Sequence, residues 1–157
     1  METKGNKTKT AFLALLCLLA SCSPPDLVYR VEPDLQPYAN YFFETAAQYG
    51  KTFERQNLVL RITPGLVKSK GGLGVTTFHR DGQRTIEFDS AFWASSSESV
   101  RQVLALHEFG HGFLGRSHNQ GYSIMNIKIS PFGWPQCEGS ECDHKFLLDE
   151  LFRNENE

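Results

Sequence analysis

The chain has 157 residues, of which 40% are hydrophobic and 22% charged, with a formal net charge of −2. These values describe one ordinary folded domain; they exclude a disordered or coiled-coil chain and leave no room for two comfortable domains. No basic patch and no basic run interleaved with aromatics occurs, which counts against nucleic acid as a partner.

In chain order, the first segment is an address. Lys4, Lys7 and Lys9 precede the apolar run AFLALLCLLA, the charged and apolar regions of a secretory signal. At about ten residues the run is too short for a bilayer, which takes about twenty. It leads into LASC, Leu19 to Cys22, which resembles the lipobox of bacterial lipoproteins. That resemblance implies removal of residues 1–21 and a lipid on Cys22, at the head of a tether over 22–33. Ordinary cleavage near Ser21, leaving Cys22 as a free thiol, is the alternative. Without residues 1–21 the chain keeps 13 basic and 17 acidic residues, a net charge of −4. The expected location is extracytoplasmic, anchored to a bacterial membrane at its periplasmic face or at the cell surface. Cys137 and Cys142 frame CEGSEC, and outside the cytoplasm such a pair reads as a disulfide.

The domain then occupies 34–157. LVYRV, 27–31, predicts a short extended segment. Over 34–57, Leu35, Tyr38, Phe42, Ala46, Tyr49 and Phe53 recur at spacings of three and four, which predicts an amphipathic helix opened by Asp34 and Pro37. NLVLRITPG alternates as a strand and stops at Pro64-Gly65, and VKSKGGLG reads as a glycine-rich surface loop. GVTTFHR, the turn DGQ and RTIEFDS form a hairpin around Asp81-Gly82. A second helix is predicted over 95–115, with Ser95 and Glu98 as a capping box and Val100, Val103, Leu104, Phe113 and Leu114 as its buried stripe. Residues 116–143 are irregular, and a last amphipathic helix covers 144–157 with Asp143 as its cap. The fold class expected from this order is α+β.

The chemistry concentrates in HEFGHGFLGRSH, His107 to His118. Four residues apart on a helix, His107 and His111 are separated by about 40° in azimuth and roughly 6 Å along the axis, so both imidazoles can close on one cation. Glu108 projects beside them, placed to take a proton from water at the metal. A hydrolytic zinc site needs a third protein ligand and an open position. On a continuous helix His118 would fall about 10 Å beyond His111, too far to share an ion. The helix must therefore end between them, and Gly112 and Gly115 make that inexpensive.

These residues resemble the metzincins, zinc proteases with H-E-x-x-H-x-x-G-x-x-H and a downstream methionine turn. His107, Glu108, His111, Gly115 and His118 match in kind and order, and YSIMN supplies Met125 for the turn. The chain departs from the pattern in one place: three residues, in place of two, separate His111 from Gly115. A wider final helical turn or a π-bulge would absorb the extra residue. Ile127 stands where astacin-like members carry a tyrosine, and the matrix metalloproteinases are the nearer likeness.

The resemblance implies a compact domain with a small mixed sheet, an N-terminal helix, an active-site helix and a C-terminal helix. It also implies one catalytic Zn2+ on His107, His111 and His118, with Glu108 as general base. Substrate would be a peptide or protein lying antiparallel to an exposed strand of the 73–89 hairpin, with SPFGWPQCEGSEC walling the pocket. The protein is expected to be a monomer with a membrane contact through Cys22. Glu138, Glu141, Glu150 and His144 remain alternative third or fourth ligands. His79 reads as a solvated strand end, and Phe92, Trp93 and Trp134 as core or cleft wall. Two other functions stay open: a non-catalytic surface lipoprotein with a structural metal, and a zinc amidohydrolase that does not act on proteins.

Overall fold

A computed structural model describes residues 27–130, 133–135 and 144–153. The order is β1 (Tyr29–Val31), α1 (Gln36–Gln48) after a short 3-10 turn, β2 (Leu58–Thr63), α2 (Leu66–Lys70), β3 (Gly74–Phe78), β4 (Arg84–Asp89), α3 (Ser90–Ser95), α4 (Glu98–Leu114) and α5 (His144–Phe152). The sheet runs β1-β2-β4-β3, with the first three strands parallel and β3 antiparallel to β4. This is an α+β fold with a small mixed sheet and β3 at one edge. No helix among the described residues is long and apolar enough to cross a membrane.

The first helix is shorter than its apolar spacing predicts. It stops at Gln48 because Gly50 takes φ 72°, and the N–H groups of Gly50 and Lys51 turn back to the carbonyls of Ala47 and Ala46. Phe53 still reaches the core, from the segment beyond the helix. VKSKGGLG holds the short helix α2, and α3 is a second helix that apolar spacing did not reveal. Asp89 caps α3 by accepting from the Ala91 and Phe92 N–H groups, and its other oxygen accepts from Val67 N–H of α2. The N-cap of α4 is Ser97 rather than Ser95, whose hydroxyl bonds back to α3. Glu98 is therefore first in the helix, and it accepts from the Tyr38 hydroxyl at 2.7 Å instead of closing a box.

The core lies between the sheet and helices α1, α4 and α5. Phe42 is its centre, stacked on Phe109 at 4.7 Å between ring centroids and packed against Phe43, Phe113 and Phe152. The central strand β4 is buried on both faces. Ile86 and Phe88 enter the core, while Glu87 on the other face is held by Lys70, Arg61 and Thr63. Burial alone would raise the Glu87 carboxyl, but these three partners hold it below the usual carboxylate range.

Candidate metal centre

Helix α4 carries His107, Glu108 and His111 with their side chains buried or half-buried, between the core and strand β3. The helix ends at Leu114, and Gly115 reverses the chain at φ 66°. The bonds that close α1 span three to five residues; here the N–H groups of Gly115 and Arg116 both reach back to the Gly110 carbonyl, five and six residues away. The final turn is thus widened by a residue. That is how the extra residue before Gly115 is accommodated, and it lets His118 swing back over the helix end.

The three imidazoles meet at their Nε2 atoms. His111 Nε2 lies 3.1 Å from His107 Nε2 and 3.2 Å from His118 Nε2. His107 Nδ1 is 2.8 Å from the Ile124 carbonyl, and His111 Nδ1 is 2.6 Å from the Arg116 carbonyl. A carbonyl oxygen can only accept, so in both rings Nδ1 carries the proton and donates it. Burial lowers the His107 pKa to about 4 and also lowers that of His111, so both rings are neutral at pH 7. Their Nε2 lone pairs then face each other with no hydrogen between them. A cation reconciles that arrangement: three imidazoles at the usual Zn–N distance, tetrahedrally disposed, have nitrogens about 3.3 Å apart. The three histidines can therefore hold a metal ion.

Glu108 stands beside this cluster, only 4% exposed. The Thr76 hydroxyl lies 2.8 Å from Glu108 Oε2 and 3.0 Å from its main-chain carbonyl. Gly74, two residues earlier on the same face of β3, leaves room for the carboxyl; a Cβ there would stand 2.6 Å from Oε1. Burial pushes the Glu108 carboxyl up to about 7 against the opposing pull of Thr76. An open cleft of about 500 Å³ runs past Gly74, Thr76, Glu108, His111 and His118.

Among the described residues, no strand pairs with the outer edge of β3, which borders that cleft. At either end of the hairpin, Asp89 N–H donates to Leu73 and His79 N–H to Gln83. Bonded pairs alternate in an antiparallel ladder, so residues 73, 75, 77 and 79 point their amides at β4. Gly74, Thr76 and Phe78 point theirs outward.

Met125 is buried against α4, where a Cβ on Gly110 would come within 2.6 Å of its sulfur. Its turn, 123–126, is the one that presents the Ile124 carbonyl to His107. Among the described residues no fourth ligand joins the three histidines. His144 stacks on Trp134 at 4.1 Å, and Glu150 accepts from the Ser123 hydroxyl. His79 is exposed and hydrogen-bonded to Thr85. Trp93 is in the core with Phe92 packed against it, and Trp134 is buried on α4 through Gln102. Cys22, Cys137, Cys142, Glu138 and Glu141 lie outside the described residues, as does most of the expected pocket wall.

Thr76, Gly74 and Arg116 carried no local signal of a role. Only the pairing of β3 beside α4 brings the first two to Glu108. No protein-family model, curated protein or solved structure matches this chain.

Proposed function

We propose that this chain is a zinc-dependent metalloendopeptidase of the metzincin type, lipid-anchored through Cys22 outside the cytoplasm. The observation that carries the reading is the convergence of three Nε2 atoms, those of His107 and His118 within 3.2 Å of His111 Nε2, with the protons of His107 and His111 forced onto Nδ1. An all-imidazole set with an open side suits catalytic zinc.

The ion would supply Lewis acidity, polarising a substrate carbonyl and acidifying water that reaches it. Glu108 accepts the proton of the attacking water and delivers it to the departing amine nitrogen, so that water is added across the C–N bond. Burial supports that cycle by raising the carboxyl's affinity for a proton. Thr76 aims the carboxylate, and Gly74 clears space for it. The outward amides of Gly74, Thr76 and Phe78 favour an extended peptide over a small amide, because a strand laid along them gains several main-chain hydrogen bonds at once. The open edge and the cleft beside the three histidines also favour a catalytic over a structural ion.

The test pairs metal analysis with peptide cleavage by the parent and Glu108→Ala. Both proteins are expected to hold close to one zinc per chain. Cleavage of an unstructured protein such as casein is expected to fall about 10²- to 10⁴-fold in the variant. A parent without metal, or a variant with full activity, would overturn the reading.

A further inference from the structure

His107 and His111 sit on a rigid helix, yet the carbonyls that aim them belong to irregular segments. Ile124 lies in the turn 123–126, and Arg116 follows the helix reversal at Gly115. Neither segment is part of a strand ladder. They meet each other where Asn119 N–H donates to the Met125 carbonyl, and both are tied to the last turn of α5.

Arg116 reaches that turn with its guanidinium. Nε donates to the Leu151 carbonyl at 3.0 Å, and Nη2 donates to the carbonyls of Glu150, at 3.0 Å, and Arg153. Terminal carbonyls of a helix have no partner within it, so the planar fork caps α5 while α5 fixes the backbone of Arg116. The turn 123–126 is held by the side chain of the same helical residue. The Ser123 hydroxyl donates to the Glu150 carboxylate at 3.0 Å and accepts the Met125 N–H at 3.0 Å. Residue 150 thus anchors one segment through its carboxylate and the other through its carbonyl.

We propose that Arg116 and Glu150 are positioning residues of the metal centre: through them α5 holds the two carbonyls that orient His107 and His111, and so sets how tightly the ion is bound. The proposal rests on the reading of the three histidines as a metal site. Groups that orient ligands from behind govern ring orientation and basicity, and their loss costs about ten- to a hundredfold in metal affinity. The coupling runs both ways, so an ion on the histidines favours the docked helix. Docking of α5 has other supports that touch neither segment. Leu147 and Phe152 are buried, and the Tyr49 hydroxyl donates to Asp149 at 2.5 Å. Tyr49→Phe therefore loosens α5 without releasing either carbonyl.

The experiment measures Zn2+ affinity and release rate by competition with a chromophoric chelator, alongside thermal unfolding, on the full chain. Arg116→Met and Glu150→Ala are expected to bind zinc ten- to a hundredfold more weakly and to release it faster. Glu150→Gln, which keeps an acceptor for Ser123, is expected to stay within about threefold of the parent. Tyr49→Phe is expected to unfold at a lower temperature with unchanged affinity. Should Arg116→Met not fold, Arg116→Lys replaces it, and a loss is still expected because one ammonium cannot span three carbonyls. Parental affinity in the Arg116 and Glu150→Ala variants would overturn the proposal. So would an equal loss in Tyr49→Phe, which would make the effect a general loosening of α5. A parent that binds no zinc would overturn the metal-site reading itself, and this inference with it.

Discussion

Thr76 has one hydroxyl proton and two acceptors within reach, both on Glu108. When the carboxyl is ionised the hydroxyl donates to it; when the carboxyl is protonated the hydroxyl can turn to the main-chain carbonyl and accept in its place. The side chain is therefore satisfied at both ends of the proton transfer proposed for Glu108. A hydrogen bond to a charged group contributes about 1.5–3 kcal/mol. Thr76→Val, which preserves shape, is expected to lower kcat about ten- to a hundredfold while leaving KM and zinc content alone. Thr76→Ser should recover most of the rate. Steady-state kinetics on one peptide substrate decide it, and a change confined to KM would mean that Thr76 serves binding and not the base.

At the scale of elements, α4 does its work by stopping. Along its length it buries an apolar stripe as the spacing predicts, with Val100, Val103 and Leu104 in the core and Phe113 and Leu114, at its end, packed against it. Its function depends on the widened turn after them. Gly115 sits at φ 66° with open space where a Cβ would go, so Gly115→Ala meets a conformational penalty and no clash. Left-handed backbone costs a non-glycine residue roughly 1–2 kcal/mol. That loss of stability is expected in urea unfolding, together with weaker zinc binding as the Arg116 carbonyl and His118 are displaced. Gly50 ends α1 by the same physics. The apolar repeat continues through Tyr49 and Phe53, so spacing alone overran the helix, whereas the glycine marked its end.

Over the whole molecule, ion binding and charge burial set the response to pH. Glu87 and Asp89, neighbours along β4, both have carboxyls held below their usual range, Asp89 chiefly by the Phe92 N–H. A depressed carboxyl adds stability that is present above its unfolded value and is lost as pH falls through its folded one. His107, lowered to about 4 from 6.5, acts in the same direction, its share fading between those values. Glu108, raised to about 7, opposes them: its contribution is full below its unfolded value of 4.5 and is lost as pH rises toward 7. Over their shared range the His107 and Glu108 contributions offset each other, so the chelator-treated protein is expected to lose melting temperature on acidification below about pH 4.5, where Glu87 and Asp89 take up protons, and Glu87→Gln to lower it at pH 7 but not at about pH 2. Zinc at a hundred times its dissociation constant should restore about 2.7 kcal/mol at neutral pH, read as a rise in melting temperature. A melting temperature indifferent to chelator would contradict a site that binds only the folded chain.

The histidine pair, the acid beside it, the need for a break before His118 and the α+β order of elements were all legible in the sequence, because helical period and turn chemistry are local properties. Short helices α2 and α3 were not legible, since each is defined by contacts with Asp89 rather than by a repeat of its own. Which groups surround the histidines was decided by tertiary structure alone. Thr76 meets Glu108, Ile124 meets His107 and Glu150 meets Ser123 across 32, 17 and 27 residues. Such partners are chosen by how strands register and helices dock, and no pattern within either segment records that choice.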